Sequence, residues 1–153
     1  MNTFKFFDEA IGFHTGWKHT LERHIEEGEY QNAQTIANCH VCDLGNWIYG
    51  SGSRYNHLPS FKLMSSFHEQ VHRAAAEIVQ VSNNGDKDKA LELLNDHKGT
   101  FSQASHQLVK AIRECNNELD DKLQKNVAHL FLDEELMGAF IKRLNRKYPH
   151  QPT

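Results

Sequence analysis

The stretch SFHEQVH, residues 66–72, decides how the chain is read. In a helix, residues i and i+4 stand one turn apart with Cβ atoms about 5–6 Å from each other. His68 and His72 have that spacing and share a face with Phe61, Met64, Val71 and Ala75. The pattern predicts a helix from a Ser60 cap to about residue 81, with two imidazoles on its apolar side. A hydrophobic core gains nothing from two polar rings unless they are partnered. The pair is therefore either two satisfied buried histidines or half of a metal site, since HxxxH lets both rings reach one ion. With 11 histidines in 153 residues, the pair by itself leaves both readings open.

Upstream, Phe4, Phe7, Ile11, His14, Leu21 and Ile25 follow steps of three and four. They predict a first helix from about residue 3 to residue 27, capped by Asn2 or Thr3 and stopped by Gly28. His14 lies on that apolar stripe, where a buried ring needs a partner. A lone histidine there is an ordinary core residue; three pointing into one bundle core are not. A second helix is predicted over about 31–50, through Ala33, Ala37, Val41, Leu44 and Ile48, before the turn-rich loop GSGSRYNHLP, residues 50–59.

Downstream, SNNGD at 82–86 breaks the chain before a long fourth helix. Its apolar side carries Ala90, Leu93, Leu94, His97, Phe101, Ala104, Leu108, Ile112, Cys115 and Leu119. Residues from about 121 to 146 read as helical again, either as a separate helix or as an extension of the fourth. The expected fold is all-α: an up-and-down four-helix bundle over residues 1–120, with an additional C-terminal helical segment over 121–153. That segment belongs to the same domain or makes a dimer contact.

Composition agrees with a globular chain. Hydrophobic residues make up 39% and charged residues 24%, with a net charge of −3 that offers no general attraction to nucleic acid or anionic membrane. The basic cluster Lys142, Arg143, Arg146 and Lys147 reads as cations near the negative end of a helix. No apolar run approaches the roughly 18–20 residues of a membrane span. MNTFKFFDEA lacks the pattern of a secretory signal. Three cysteines, Cys39, Cys42 and Cys115, suit a reducing, cytoplasmic setting with free or metal-bound thiols.

Cys39 and Cys42 lie in CHVCDLGNWIYG, residues 39–50. A thioredoxin-type pair needs a strand–helix context, and a four-thiolate zinc site needs a second cysteine pair. The remaining reading has one of the two completing a site with the histidines. Both lie off the predicted helical stripe, so periodicity does not choose between them. Gly45, which would let a neighbouring helix approach closely, mildly favours Cys42.

Three blocks together, HTGWKHTL (14–21), CDLGNWIYGSGSRYNHLPSF (42–61) and HEQVHRAAAEIV (68–79), resemble the CZB family, the chemoreceptor zinc-binding domains of bacteria. His14, Trp17 and Lys18 match the first block of the family pattern. Cys42, Leu44, Gly45 and Trp47 match the second, and His68 and His72 the third. The resemblance covers roughly residues 10–115. It implies zinc, one ion per chain, held by His14, Cys42, His68 and His72, in a four-helix bundle that is usually a homodimer. It also implies zinc sensing, or sensing of oxidants such as hypochlorous acid through the zinc-bound thiolate of Cys42. Family members are typically joined to a chemoreceptor signalling region or a nucleotide-cyclising domain. About forty residues follow the resemblance here, so a stand-alone member is expected, with a chemoreceptor or cyclic-dinucleotide protein as partner and no role for nucleic acid or membrane.

One thiolate and three imidazoles suit tetrahedral zinc and leave no open position for water, so an enzyme is not expected. Cys39, one turn from Cys42, is a candidate resolving thiol or a small residue of no special role. Trp17 and Trp47 read as bundle core. A hemerythrin-like di-iron bundle is the main alternative class, with His129 and Asp133 or Glu134 as its only faint signal; a zinc buffer or structural dimer is another.

Overall fold

The computed structural model describes residues 5–130, and every regular element among them is helical. The first helix, α1, spans Lys5–Glu26 and buries Phe7, His14, Leu21 and Ile25 on the predicted stripe. Its end is set by Gly28, whose φ of 70° only glycine adopts without strain. Gly28 N–H donates to the Ile25 carbonyl and Glu29 N–H to that of His24, a Schellman closure. The predicted caps Asn2 and Thr3, and Phe4, lie outside the described residues.

The predicted second helix is instead two short ones, α2 (Ala33–Ala37) and α3 (Asp43–Tyr49), followed by a 3-10 turn over Ser51–Tyr55. The interruption begins at Asn38, which takes an extended conformation while its N–H donates to the Thr35 carbonyl. Periodicity therefore does not carry across residues 38–42. Leu44 and Ile48 are buried, but Ala37 and Val41 are exposed.

The helix that holds the histidine pair, α4, spans Pro59–Asn83. Its N-cap is Leu58 with Pro59 in the first turn, so Ser60 is not the cap that the sequence suggests. Proline's fixed φ and missing N–H make it a natural first helical residue, which displaces the boundary upstream of the serine. The Ser60 hydroxyl instead donates to the Glu118 carboxylate across the bundle. A second Schellman closure around Gly85 ends α4: Gly85 N–H donates to the Ser82 carbonyl and Asp86 N–H to that of Val81.

The expected long fourth helix is also divided, into α5 (Lys87–Asn95) and α6 (Thr100–Leu130). Asp86 caps α5 by accepting from Lys89 N–H. Asp96 leaves the helix with an extended backbone, and its carbonyl accepts from Gly99 N–H to close the intervening turn. Ala90, Leu94, Phe101, Ala104, Leu108, Ile112, Cys115 and Leu119 are all buried as expected, whereas His97 is exposed. The helix α6 continues without a break through residue 130, so residues 121–130 extend the last bundle helix. The basic cluster at 142–147 and the remaining C-terminal residues lie outside the described residues.

The core lies where α4 packs along α6, with α1 against α5 and α6 and α2 against α4. Ala74, Ala75 and Ala76 are buried in α4, small side chains that let neighbouring helices come close. Trp47 is buried as predicted, edge-on to Phe7 at 5.1 Å between ring centroids. Cys115 is fully buried, and burial pushes its thiol up to about 11, against the opposing hydrogen bond from Ser60. It is therefore a protonated thiol at neutral pH. Alkylation of the folded protein should spare Cys115, and denaturant should expose it. Fast labelling in the native state, read by mass spectrometry, would contradict the burial.

Candidate metal centre

Three segments that are distant in sequence bring their side chains to one point: the middle of α1, the start of α3 and the middle of α4. His14, His68 and His72 are buried, and Cys42 is half-buried. One nitrogen from each ring and the Cys42 sulfur all lie within 4.8 Å of one another. The Nε2 atoms of His68 and His72 are 3.1 Å apart, and Cys42 Sγ lies 3.1 Å from the first and 3.7 Å from the second. His14 presents its ring edge-on to His68, with centroids 5.0 Å apart.

The tautomers of two rings follow from their neighbours. His14 Nδ1 is 2.8 Å from the Ala10 carbonyl, and His72 Nδ1 is 2.9 Å from the Ile36 carbonyl. A carbonyl only accepts, so each Nδ1 carries the proton and each Nε2 presents a lone pair. The Nε2 atom of His14 is buried with no hydrogen-bond partner. Such an orphan is costly unless something positive stands before it.

Burial also keeps the rings neutral. It holds His14 down to about 4, with the nearby His72 adding to the effect and the Ala10 carbonyl opposing it. His68 is pushed down by burial and then by the other rings, and His72 by burial. Neutral imidazole is the form that binds metal. Burial pushes the Cys42 thiol up, partly offset by the N–H groups of Gly45 and Leu44, with the nearby Asp43 and Cys39 adding to the rise. A bound cation reverses that preference and favours the thiolate.

The donor set fits zinc. With Zn–N about 2.0–2.1 Å and Zn–S about 2.3 Å, the edges of a tetrahedron are about 3.4 Å for N···N and about 3.6 Å for N···S. The separations of 3.1, 3.1 and 3.7 Å among His68, His72 and Cys42 lie close to those edges, and His14 completes a group whose donor atoms all lie within 4.8 Å of one another.

Local structure explains how each group is presented. The interruption of the predicted second helix makes Cys42 the N-cap of α3, in an extended conformation, with its sulfur accepting from Gly45 N–H at 3.4 Å. Had the helix been continuous, Cys42 would have lacked that freedom. Gly45 does permit a close approach, but from the Cys39 carbonyl of the same turn rather than from a neighbouring helix. A Cβ built on Gly45 would stand 1.7 Å from that oxygen. Cys39 is buried and turned away from the cluster, with its sulfur 3.6 Å from the Tyr49 hydroxyl. Trp17 is half-buried, and its ring packs 4.8 Å from that of His72.

Sequence reasoning missed the Ile36 carbonyl. It comes from α2, which buries none of its own residues, and it is the group that orients His72. A backbone carbonyl has no residue signature, so no pattern in the sequence could have flagged it. His68 has no such support: its Nδ1 is buried without a partner.

A helical bundle that gathers three imidazoles and one thiol at a point is a metal-binding bundle of the kind that suits zinc. Residues 14–79 match the chemoreceptor zinc-binding domain family, CZB. That family is one of zinc-binding domains, and the His14, Cys42, His68 and His72 cluster is suited to one zinc ion. No curated protein and no solved structure matches the chain. No helix among the described residues is long and apolar enough to cross a membrane. Among the described residues the His14, Cys42, His68 and His72 group is the metal-binding constellation found; Asp133 and Glu134, considered for a di-iron site, lie outside them, as does the side chain of His129.

Proposed function

We propose that the chain is a zinc-binding regulatory protein in which His14, Cys42, His68 and His72 hold one zinc ion and Cys42 is the redox-reactive thiolate. The convergence of the four donor atoms within 4.8 Å carries the reading. Zinc, when bound, keeps the sulfur as thiolate, the nucleophilic form. The signal is an oxidant such as hypochlorous acid, or the zinc level itself. The protein acts as a homodimer, in the cytoplasm, through a chemoreceptor or cyclic-dinucleotide signalling partner.

The placement of Cys42 supports a switch. The three histidines stand on long helices, α1 and α4, whose cores hold them regardless of metal. Cys42 stands at the junction of two short helices. Metal binding can supply about 10–16 kcal/mol to a zinc-finger peptide that folds only with its ion. A chain of 153 residues is long enough to bury its own core, so losing one donor loosens this junction without unfolding the rest. The same loosening reaches His72, because its ring is oriented by Ile36 of α2. In net balance, thiolate and hypochlorous acid give sulfenic acid and chloride: a sulfur–oxygen bond forms, the oxygen–chlorine bond breaks, sulfur is oxidised and chlorine reduced.

Sub-stoichiometric hypochlorous acid should add one oxygen to Cys42 first and release zinc in step. Hydrogen exchange should then rise over residues 33–49 while α4 and α6 stay protected. Oxidation reaching Cys115 or Cys39 before Cys42, or zinc leaving with Cys42 unmodified, would overturn the proposal.

A further inference from the structure

The last turn of α4 holds a polar side chain that neither the zinc cluster nor the core uses. Asn83 is half-buried and is the final residue of that helix. Its amide pairs with both backbone groups of Gln31. Gln31 N–H donates to Asn83 Oδ1 at 3.3 Å, and Asn83 Nδ2 donates to the Gln31 carbonyl at 2.7 Å. A carboxamide carries an acceptor and a donor side by side, so it can grip one residue's backbone at two points. Asn83 lies beyond residues 14–79, the part of the chain that matches the family.

The grip falls where α2 begins. Asn32, the next residue, is the N-cap of α2: its side chain accepts from Thr35 N–H and its carbonyl from Ile36 N–H, each at 3.1 Å. Ile36 in turn offers its own carbonyl to His72 Nδ1 at 2.9 Å. A helix needs about 12–15 residues to stand by itself in water, and α2 has five. It buries none of them fully; Ala33 and Ile36 pack only partly against the core. Its position therefore depends on what holds its ends. Residues 72 and 83 are about three turns apart on α4, so both side chains leave one face of that helix, the face along which α2 packs.

We propose that Asn83 is a positioning residue of the metal centre: it clamps Gln31, the clamp sets the start of α2, and α2 delivers the carbonyl that keeps the His72 proton on Nδ1. The inference rests on His72 being a zinc ligand, as in the proposed function. Which imidazole nitrogen carries the proton is set by the hydrogen bond the other makes. With the Ile36 carbonyl in place, His72 Nε2 turns a lone pair toward His68 Nε2 and Cys42 Sγ, 3.1 and 3.7 Å away. When α2 drifts, Nδ1 loses its acceptor and the proton is free to settle on Nε2. That form cannot ligate through the nitrogen that faces the cluster.

Long-range proton–nitrogen NMR of the full chain, with labelled histidine and zinc removed, reads the His72 tautomer directly. The wild-type ring should be protonated at Nδ1 alone. In Asn83→Ala the two nitrogen signals should move toward each other, as a mixture of tautomers requires, and zinc affinity should fall about tenfold, the lower end of the range for groups that orient metal ligands. Asn83→Asp keeps the acceptor but sets an oxygen against the Gln31 carbonyl, so it should behave as alanine does. Val81→Ala trims a half-buried core contact in the same last turn and is the control for stability lost at that end of α4. It should leave both the His72 spectrum and the zinc affinity unchanged. A wild-type His72 spectrum in either Asn83 variant would overturn the proposal, whatever the zinc affinity, and so would an equal shift in Val81→Ala. Adding one equivalent of zinc to the wild-type chain tests the parent reading separately: a His72 Nε2 signal that does not move contradicts its role as a ligand, and the comparison of zinc-free chains still stands.

Discussion

His68→Ala should abolish stoichiometric zinc binding and leave a folded helical bundle. His68 is fully buried in the middle of α4, and its Nε2 is 3.1 Å from both His72 Nε2 and Cys42 Sγ. It stands between the other donors, so its loss removes the group that the cluster is built around. Even the outer groups that orient metal ligands are worth about 10–100-fold in affinity, and a ligand itself is worth more. The loss should therefore exceed a hundredfold. Alanine is the best helix former, so α4 keeps its backbone. The substitution also removes a buried, unpartnered Nδ1 and its desolvation cost.

The thermal readout separates metal from fold. At a free zinc concentration a hundred times Kd, binding stabilises the native state by about 2.7 kcal/mol. In a chain of this size that raises the melting temperature by roughly 5–10 °C. The wild-type protein should lose that increment on chelation. The variant should melt at the same temperature with and without zinc. A variant that still binds one zinc tightly would show that His68 is a bystander.

Gly45→Ala should be nearly as damaging through a different route. The added Cβ would stand 1.7 Å from the Cys39 carbonyl oxygen, 2.8 Å from its carbon and 3.1 Å from His40 Cα. All three are backbone atoms, so no side chain can swing aside. The turn over residues 39–42 must move, and that turn carries Cys42. Overpacking of this severity costs about 3 kcal/mol. Zinc affinity should fall at least tenfold because the sulfur shifts with the turn. Gly16→Ala is the matched control: nothing lies within 4 Å of the new Cβ, and the site is inside α1. There alanine should stabilise by about 0.5–1 kcal/mol with zinc affinity unchanged. Denaturant unfolding and competitive zinc titration of both variants give the comparison. A Gly45→Ala protein within about 0.5 kcal/mol of wild type, the range of ordinary surface changes, would contradict the close approach.

The parts legible in the sequence were those governed by long-range periodicity. The helices α1 and α4 kept their stripes because Phe7, His14, Leu21 and Ile25, and Phe61, Met64, Val71 and Ala75, are all buried against neighbours. The two misread helices failed at local breaks that the stripe conceals. Val41 fits the 3.6-residue spacing but is exposed, because Asn38 has already left the helix. His97 fits the spacing between Leu94 and Phe101, yet the Asp96–Gly99 turn lies between α5 and α6.

The candidate site divides in the same way. The spacing of His68 and His72 placed them together, and the shared stripe brought His14 inward. Spacing could not choose between Cys39 and Cys42, because both fall in the non-helical junction. The family resemblance singled out Cys42, and its sulfur is the one that faces His68. The Ile36 carbonyl that orients His72 stayed invisible, since it is backbone and belongs to a helix of five residues.

The most direct measurement is X-ray absorption at the zinc edge of the purified, zinc-loaded chain. The account predicts a four-coordinate ion with one sulfur at about 2.3 Å and three nitrogens at about 2.0–2.1 Å, the sulfur shell vanishing in Cys42→Ser. A spectrum of the unsubstituted protein with nitrogen and oxygen neighbours only, or a sulfur shell that survives in Cys42→Ser, would contradict it.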